Sequence, residues 1–378
     1  MQIKNTQLLQ SCLLRTVVLA LGVFALTSEA VAQQQQDGVR IQGRDPLSTS
    51  IPLPVQTGPI LDFREELRTY VQRVSTYARS QKNDFIIVAR DAGDLLIKRD
   101  VQDEKIISPA RTFMRSIDGI MFDGLFVGHQ RVGQVPPPEI QQIHKQRIER
   151  AKRGGMKTLS MEFAAKPTEI DNAYRQARPQ NIVSNVVHRP TPDLSELPPH
   201  PRRPHDENPN NVLSLNDVKN FAYISEPGAW GRQDQFALDM HDTNFDLIIV
   251  DPFAGREPLS RSAVETLKYK KLGARRLVFA RMDIGTVASY RYYWKPEWRE
   301  GSPFWIAGPY PGDPDRYFVE YWRLGWQDVM FGNENSYLFG LIRQGYDGVV
   351  IEGLRSYLAF EGNVEIPQAF APLEYPAN

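Results

Sequence analysis

Cysteine is almost missing: Cys12 is the single one among 378 residues. That excludes a disulfide framework and any zinc site built on paired cysteines. Charge of one sign is missing too, because 45 Lys+Arg balance 45 Asp+Glu. A general nucleic-acid binder or a polybasic membrane-surface protein is therefore not expected. The six histidines are scattered with no His-x-x-x-His pair, which argues against a metal hydrolase. No Gly-rich phosphate loop follows any apolar run, which removes the commonest nucleotide-binding pattern. The expectation is no cofactor and no metal. Disorder as the overall state is excluded by 41% hydrophobic and 10% aromatic residues.

Long hydrophobic runs are also scarce. The one near the start, Thr16 to Leu26, is 11 residues, whereas a spanning helix needs about 20. Lys4 and Arg15 precede it, and Ala30-Val31-Ala32 follows it. Residues 1–32 thus read as a secretory signal peptide, with a membrane anchor as the alternative. Cys12 would leave with the signal. Residues 33–60, rich in Gln and Pro, read as a polar disordered leader. A secreted or periplasmic location follows, with no membrane association after cleavage and a monomer expected.

From residue 61 onward, helical periodicity alternates with short β-branched runs. Asp62–Ser80 spaces Phe63, Leu67, Tyr70, Val74 and Tyr77–Ala78 as an amphipathic helix. Further helices are expected over Glu139–Arg153, over Thr168–Ala177 with Thr168 as N-cap, over Ser260–Lys271 and over Ser336–Gln344. Eight strands are expected: Asp84–Ala89, Asp118–Val127, Met156–Ala164, Asn181–His188, Phe221–Ser225, Asp246–Asp251, Arg276–Ile284 and Asp347–Glu352. They are short and mostly apolar throughout, as parallel strands covered on both faces are. Eight strand–helix units suit an α/β fold of the (β/α)8 TIM-barrel type; a doubly wound open sheet is the other possibility. The Pro- and His-rich stretch from Arg189 to Asn211 looks on composition like a boundary.

In a parallel barrel the chemistry lies at the C-terminal strand ends. Acids gather there: Asp94, Asp123, Glu162, Glu226, Asp251, Asp283 and Glu352. Glycosidic hydrolysis needs two carboxyl groups and no histidine or cysteine. A lone acid at a strand end equally caps a helix or holds a loop. The stretch from Tyr290 to Trp326 adds five Trp and several Tyr. These rings could stack on sugars, or form a lid with buried indoles.

The span Phe221–Tyr357 resembles glycoside hydrolase family 114, the endo-α-1,4-polygalactosaminidases. The resemblance rests on FAYIS, NFDLIIVD, the DIG of Asp283–Gly285, YRYYW at Tyr290–Trp294, VEYW with Trp326–Gln327, and GYDGVVIE. The family places this half first. Here its second half precedes it, in FREELRTYVQRVSTYARSQKNDFIIVARDAGDLL, RSIDGIMFDGLFVG, AKRGGMKTLSMEFA and NIVSNVVHRPTPDLSELPP. The resemblance thus implies a circularly permuted barrel within residues 61–378. Strands five to eight of the family order lie in 61–189, a joining segment covers 190–211, and strands one to four lie in 212–361. The strand Asp84–Ala89 should then pair in parallel with Asp347–Glu352.

Position by position, the resemblance implies Glu352 and Asp123 as the catalytic carboxylates, facing each other across the mouth, with the acid types exchanged at both positions. It implies substrate contacts from Asp251, Asp283, Arg291, Tyr293 and Trp294; Asp94, Glu226 and Glu162 are further substrate-contact candidates as strand-end acids. The partner implied is a galactosamine-containing polysaccharide. Arg355, Thr286 and Arg90–Asp91 stand where the family has other residues. They motivate the alternative of a non-catalytic polysaccharide-binding or export accessory protein. The null for each acid is a structural pairing with a neighbour such as Arg90 or Arg355.

Overall fold

The structure, a computed structural model, describes residues 61–378 apart from 101–102, 104, 190, 192–193, 363–369, 371–372 and 375–378. The signal and leader readings for residues 1–60 lie outside the described residues. Residues 61–378 group as one compact unit.

Eight strands form one sheet: β1 Ile86–Arg90, β2 Gly119–Asp123, β3 Lys157–Phe163, β4 Val183–Val187, β5 Phe221–Ile224, β6 Leu247–Val250, β7 Leu277–Asp283 and β8 Gly348–Glu352. Their order is β4-β3-β2-β1-β8-β7-β6-β5, and all seven ladders are parallel. The first and last strands pair as expected, with Ile86 opposite Gly348 and Ala89 opposite Ile351. The outer strands β4 and β5 share no ladder, so the barrel-like sheet is nearly closed with one seam. The fold is mixed α/β, with an architecture compatible with a TIM barrel.

Alternation along each strand sorts the side chains. Val88, Met121, Leu159, Met161, Phe221, Phe279 and Val350 pack into a lumen cluster. Ile87, Ile120, Ile248, Val278 and Val349 face a second cluster under the helices. Gly348 is required where β8 runs between its neighbours: a Cβ there would meet the Ile86 carbonyl and lie 2.9 Å from the Phe279 ring.

The helices are α1 Phe63–Gln81, α2 Arg111–Ser116, α3 Pro138–Arg153, α4 Pro167–Ala177, α5 Gln233–His241, α6 Arg261–Leu267, α7 Leu324–Met330 and α8 Tyr337–Gln344. Asp62 caps α1 by accepting the Glu65 N–H at 2.9 Å, and Leu67, Tyr70, Val71, Val74 and Ala78 bury its inner face. Thr168 is not the cap of α4. Lys166 occupies that position without a side-chain bond, and Pro167 opens the helix, since its fixed φ and missing N–H suit the first turn. Among the described residues no α-helix links β4 to β5.

At the N-terminal end of the sheet three aspartates sit immediately before strands, and each accepts a backbone N–H from a neighbouring segment. Asp118 takes that of Ile87 at 2.8 Å, Asp246 that of Lys219 at 2.8 Å, and Asp347 that of Val278 at 3.0 Å. Lys270 pairs with Asp246 at 2.5 Å, both side chains 0% exposed.

The aromatic stretch after β7 is a packed element. Thr286–Ala288, Asp313–Val319 and Ile306–Tyr310 form a three-stranded antiparallel sheet. Trp298, Trp305 and Trp326 are buried in the main cluster, and the Trp326 indole donates to the Ile284 carbonyl at 2.8 Å. Tyr290 and Tyr292 keep 44% and 43% exposure. No helix among the described residues is long and apolar enough to cross a membrane.

Candidate active site

The same alternation that builds the lumen raises a polar layer at its upper end. Beyond Val88 the next inward position of β1 is Arg90; beyond Met121 it is Asp123; beyond Phe221, Tyr223; beyond Phe279, Arg281 and Asp283; beyond Val350, Glu352. Arg90, Asp123, Arg281, Asp283 and Glu352 floor a broad cleft of about 2680 Å³, and the buried Tyr223 supports them from the lumen.

Arg90 is the centre of the layer. Its Nε donates to Asp123 Oδ1 at 3.0 Å, and Nη2 donates to Asp123 Oδ2 and to Thr191 Oγ1 at 2.7 Å. Its Nη1 donates to Glu352 Oε1 at 2.8 Å and to the Tyr223 hydroxyl at 2.9 Å. A guanidinium has five N–H donors, so all five are used. Tyr223 lies four strands from β1 in the sheet order, so this contact crosses the lumen.

Glu352 is equally occupied. Oε1 accepts from Arg90 and from the Tyr223 hydroxyl, and Oε2 accepts from Arg281 Nη2 at 2.8 Å and Nε at 3.3 Å. Burial disfavours its charge, but Arg281 and Arg90 outweigh that and hold the carboxyl well below the usual range. Asp123 differs. Its side chain is 28% exposed to the cleft, and the side-chain donor to its carboxylate is Arg90. Burial, aided by the charges of Asp91 and Glu352 and opposed by Arg90, pushes it up to about 7. Asp91, left-handed at φ 56°, accepts the Asp123 backbone N–H at 3.3 Å.

Asp123 and Glu352 do not face each other across the mouth. They flank β1, two strands apart and bridged by one guanidinium. That arrangement is fixed by the strand order β2-β1-β8.

The remaining expected residues divide. Asp251, Asp283, Asp94, Arg291, Tyr293 and Glu226 line the same cleft. Asp251 takes Arg291 Nη1 at 2.9 and 3.1 Å and Arg281 at 3.5 Å. Asp283 accepts the N–H groups of Gly285 and Thr286, the Thr286 hydroxyl and Arg316, so it builds a turn. Asp94 is paired with Arg147 at 2.9 Å and takes the Tyr357 hydroxyl. Glu226 is exposed at the rim after β5. Trp294 does not line the cleft; it packs against Trp298 and Tyr317.

Glu162 does not line it either. Leu159, Met161 and Phe163 take the lumen side of β3, which turns Glu162 outward. It is 0% exposed, its Oε2 accepts the N–H groups of Phe126 and Val127 at 2.9 and 3.0 Å, and Oε1 has no partner among the described residues. Burial pushes it up to about 7. Its role is to hold the turn that follows Asp123.

Arg281 and Tyr223 are site members that reasoning from strand-end acids missed. The signal was present in the parity of their strands. Among the described residues no group of His, Cys, Asp and Glu could hold a metal ion.

No family model matches the chain. It is similar to an uncharacterized protein of Methanocaldococcus jannaschii, 32% identical over 148 residues, 38% of this chain and 41% of that one. It is also similar to uncharacterized proteins of Thermotoga maritima, 29% over 127 residues (33% and 38%), and of Deinococcus radiodurans, 29% over 118 residues (31% and 36%). The matches thus span about two fifths of the length of these curated relatives.

Proposed function

We propose that the chain is an exported glycoside hydrolase acting on a galactosamine-containing polysaccharide, on a circularly permuted (β/α)8 barrel of the family 114 type. The observation that carries this reading is the pair of unlike carboxylates on Arg90. Enzymes that cleave glycosidic bonds need one carboxyl that keeps its proton near neutrality and one that stays ionised. Asp123, open to the cleft and raised to about 7, suits the acid that protonates the leaving oxygen, provided that the oxygen carrying the proton lets go of its Arg90 N–H. Glu352, held ionised by Arg281 and Arg90, suits the negative group beneath a developing oxocarbenium ion. Attack by Glu352 on the sugar requires that one of its four bonds be released.

The permuted order has its own support. The seam between β4 and β5 falls where the resemblance puts the usual chain ends.

The full occupancy of Glu352 favours a second reading, a polysaccharide-binding accessory protein with no turnover. Incubating the purified protein with polygalactosamine, deacetylated and partly acetylated, separates the two. New reducing ends that disappear in Asp123→Asn support the hydrolase. Retention of the polymer on immobilised protein, with no new reducing ends, supports the accessory role.

A further inference from the structure

Of the five acceptors on Arg90, four come from barrel strands and one, Thr191, from the segment that joins β4 to β5. Leu194 of that segment is held without Arg90. Leu194 is buried, its N–H donates to Ser225 Oγ at 2.9 Å, and its carbonyl accepts the N–H groups of Ser225 at 2.9 Å and Glu226 at 3.3 Å. Thr191 lies three positions before Leu194 in the sequence, on the same side of the seam that has no ladder, and accepts from Arg90 Nη2 at 2.7 Å.

The consequence is geometric. Nη2 of Arg90 carries two hydrogens, one on Asp123 and one on Thr191. Arg90 is 7% exposed, so a donor deprived of its acceptor there has little water to turn to. The fork would tilt to find another acceptor, and a tilt breaks the two parallel bonds that fix the Asp123 carboxylate. We infer that Thr191 is a positioning residue of the site, acting through Arg90 to hold Asp123 at its spacing from Glu352. The inference rests on the proposed pairing of Asp123 and Glu352 for its effect on turnover, but not for its effect on Arg90 itself.

The test uses the full chain with Thr191→Val, which keeps the shape and removes the acceptor, and Thr191→Ser, which keeps the acceptor. Hydrogen exchange of the Arg90 side-chain N–H groups, followed by nitrogen-15 NMR, reads the clamp directly. Exchange should quicken between about twofold and about tenfold in Thr191→Val, the equivalent of one ordinary hydrogen bond, and stay at the wild-type rate in Thr191→Ser. On polygalactosamine, kcat should fall by a similar factor with KM little changed, again restored by serine. Unchanged exchange in Thr191→Val overturns the inference. Quickened exchange in a protein that cleaves no glycan upholds the positioning role and removes the hydrolase reading instead. If the valine variant does not fold, Thr191→Ala repeats the comparison with the smaller side chain.

Discussion

The two ends of the barrel use the same residue types in opposite ways. At the N-terminal end, Asp118, Asp246 and Asp347 each grip a backbone N–H of an adjacent segment and a nearby Lys or Arg. These carboxylates tie segments together. At the C-terminal end, Glu352 takes side-chain donors alone and Asp123 is clamped by Arg90. A bond to backbone cannot be given up without moving a strand. A bond to a side chain can be exchanged for a ligand while the sheet stays put. Chemistry is to be sought where the carboxylates are held by groups that can let go.

The largest effect that would break this contrast is at Asp123. Asp123→Asn should lower glycan hydrolysis by about 10²- to 10⁴-fold, the usual contribution of a general acid, measured on variant protein shown by circular dichroism to be folded, since the amide also deprives Arg90 of one acceptor; an unaffected rate would remove Asp123 from the chemistry. In the wild type, kcat/KM should fall as pH rises through about 7, because the protonated form of Asp123 is the working one.

At the other end the effect should be on stability. Lys270→Met leaves Asp246 buried without its cation and should cost about 3–5 kcal/mol, read by urea unfolding, while kcat of the folded protein is kept. A loss of turnover without loss of stability would undo the division between the ends.

Glu162 sharpens the contrast, being an upper-end acid with backbone partners. Its folded pKa of about 7 lies above the ordinary 4.5. The folded state therefore holds more protons than the unfolded one between these values. Stability from this group is full below about 4.5 and is lost as pH rises toward about 7. Glu162→Gln should flatten that decline, by about 2 kcal/mol between pH 5 and 7. Equal slopes in the two proteins would mean that the group is not raised. The smallest effect is expected at Ser260, which caps α6 by accepting the Ala263 N–H at 3.1 Å. Ser260→Ala should cost about 1 kcal/mol and leave hydrolysis unaltered, although Ser260 lines the cleft.

The eight strands and their parallel sense were legible because each is a short apolar run that must be covered on both faces; the pairing of first with last was expected from the family resemblance alone. Boundaries moved by up to four residues, in part where polar ends such as Asp118 and Asp347 bond a backbone N–H of a neighbouring strand instead of joining the ladder. Strand-end acids were legible as a class, but not their roles, which depend on parity. Counting by twos from Met161 turns Glu162 away from the cleft. Counting by twos from Phe279 brings Arg281 into it. The indoles of Trp298, Trp305 and Trp326 read equally well as a sugar platform, and only their packing under the added sheet shows that they are buried.

The saturation of Arg90 also limits how the sequence can drift. Each acceptor on the guanidinium is answerable to the other four, so a change at one is selected against until another compensates. Lengthening the acid on β8 to Glu352 crowds the fork unless the acid on β2 shortens to Asp123. Substitutions around such a centre become epistatic: they are tolerated in pairs and damaging singly.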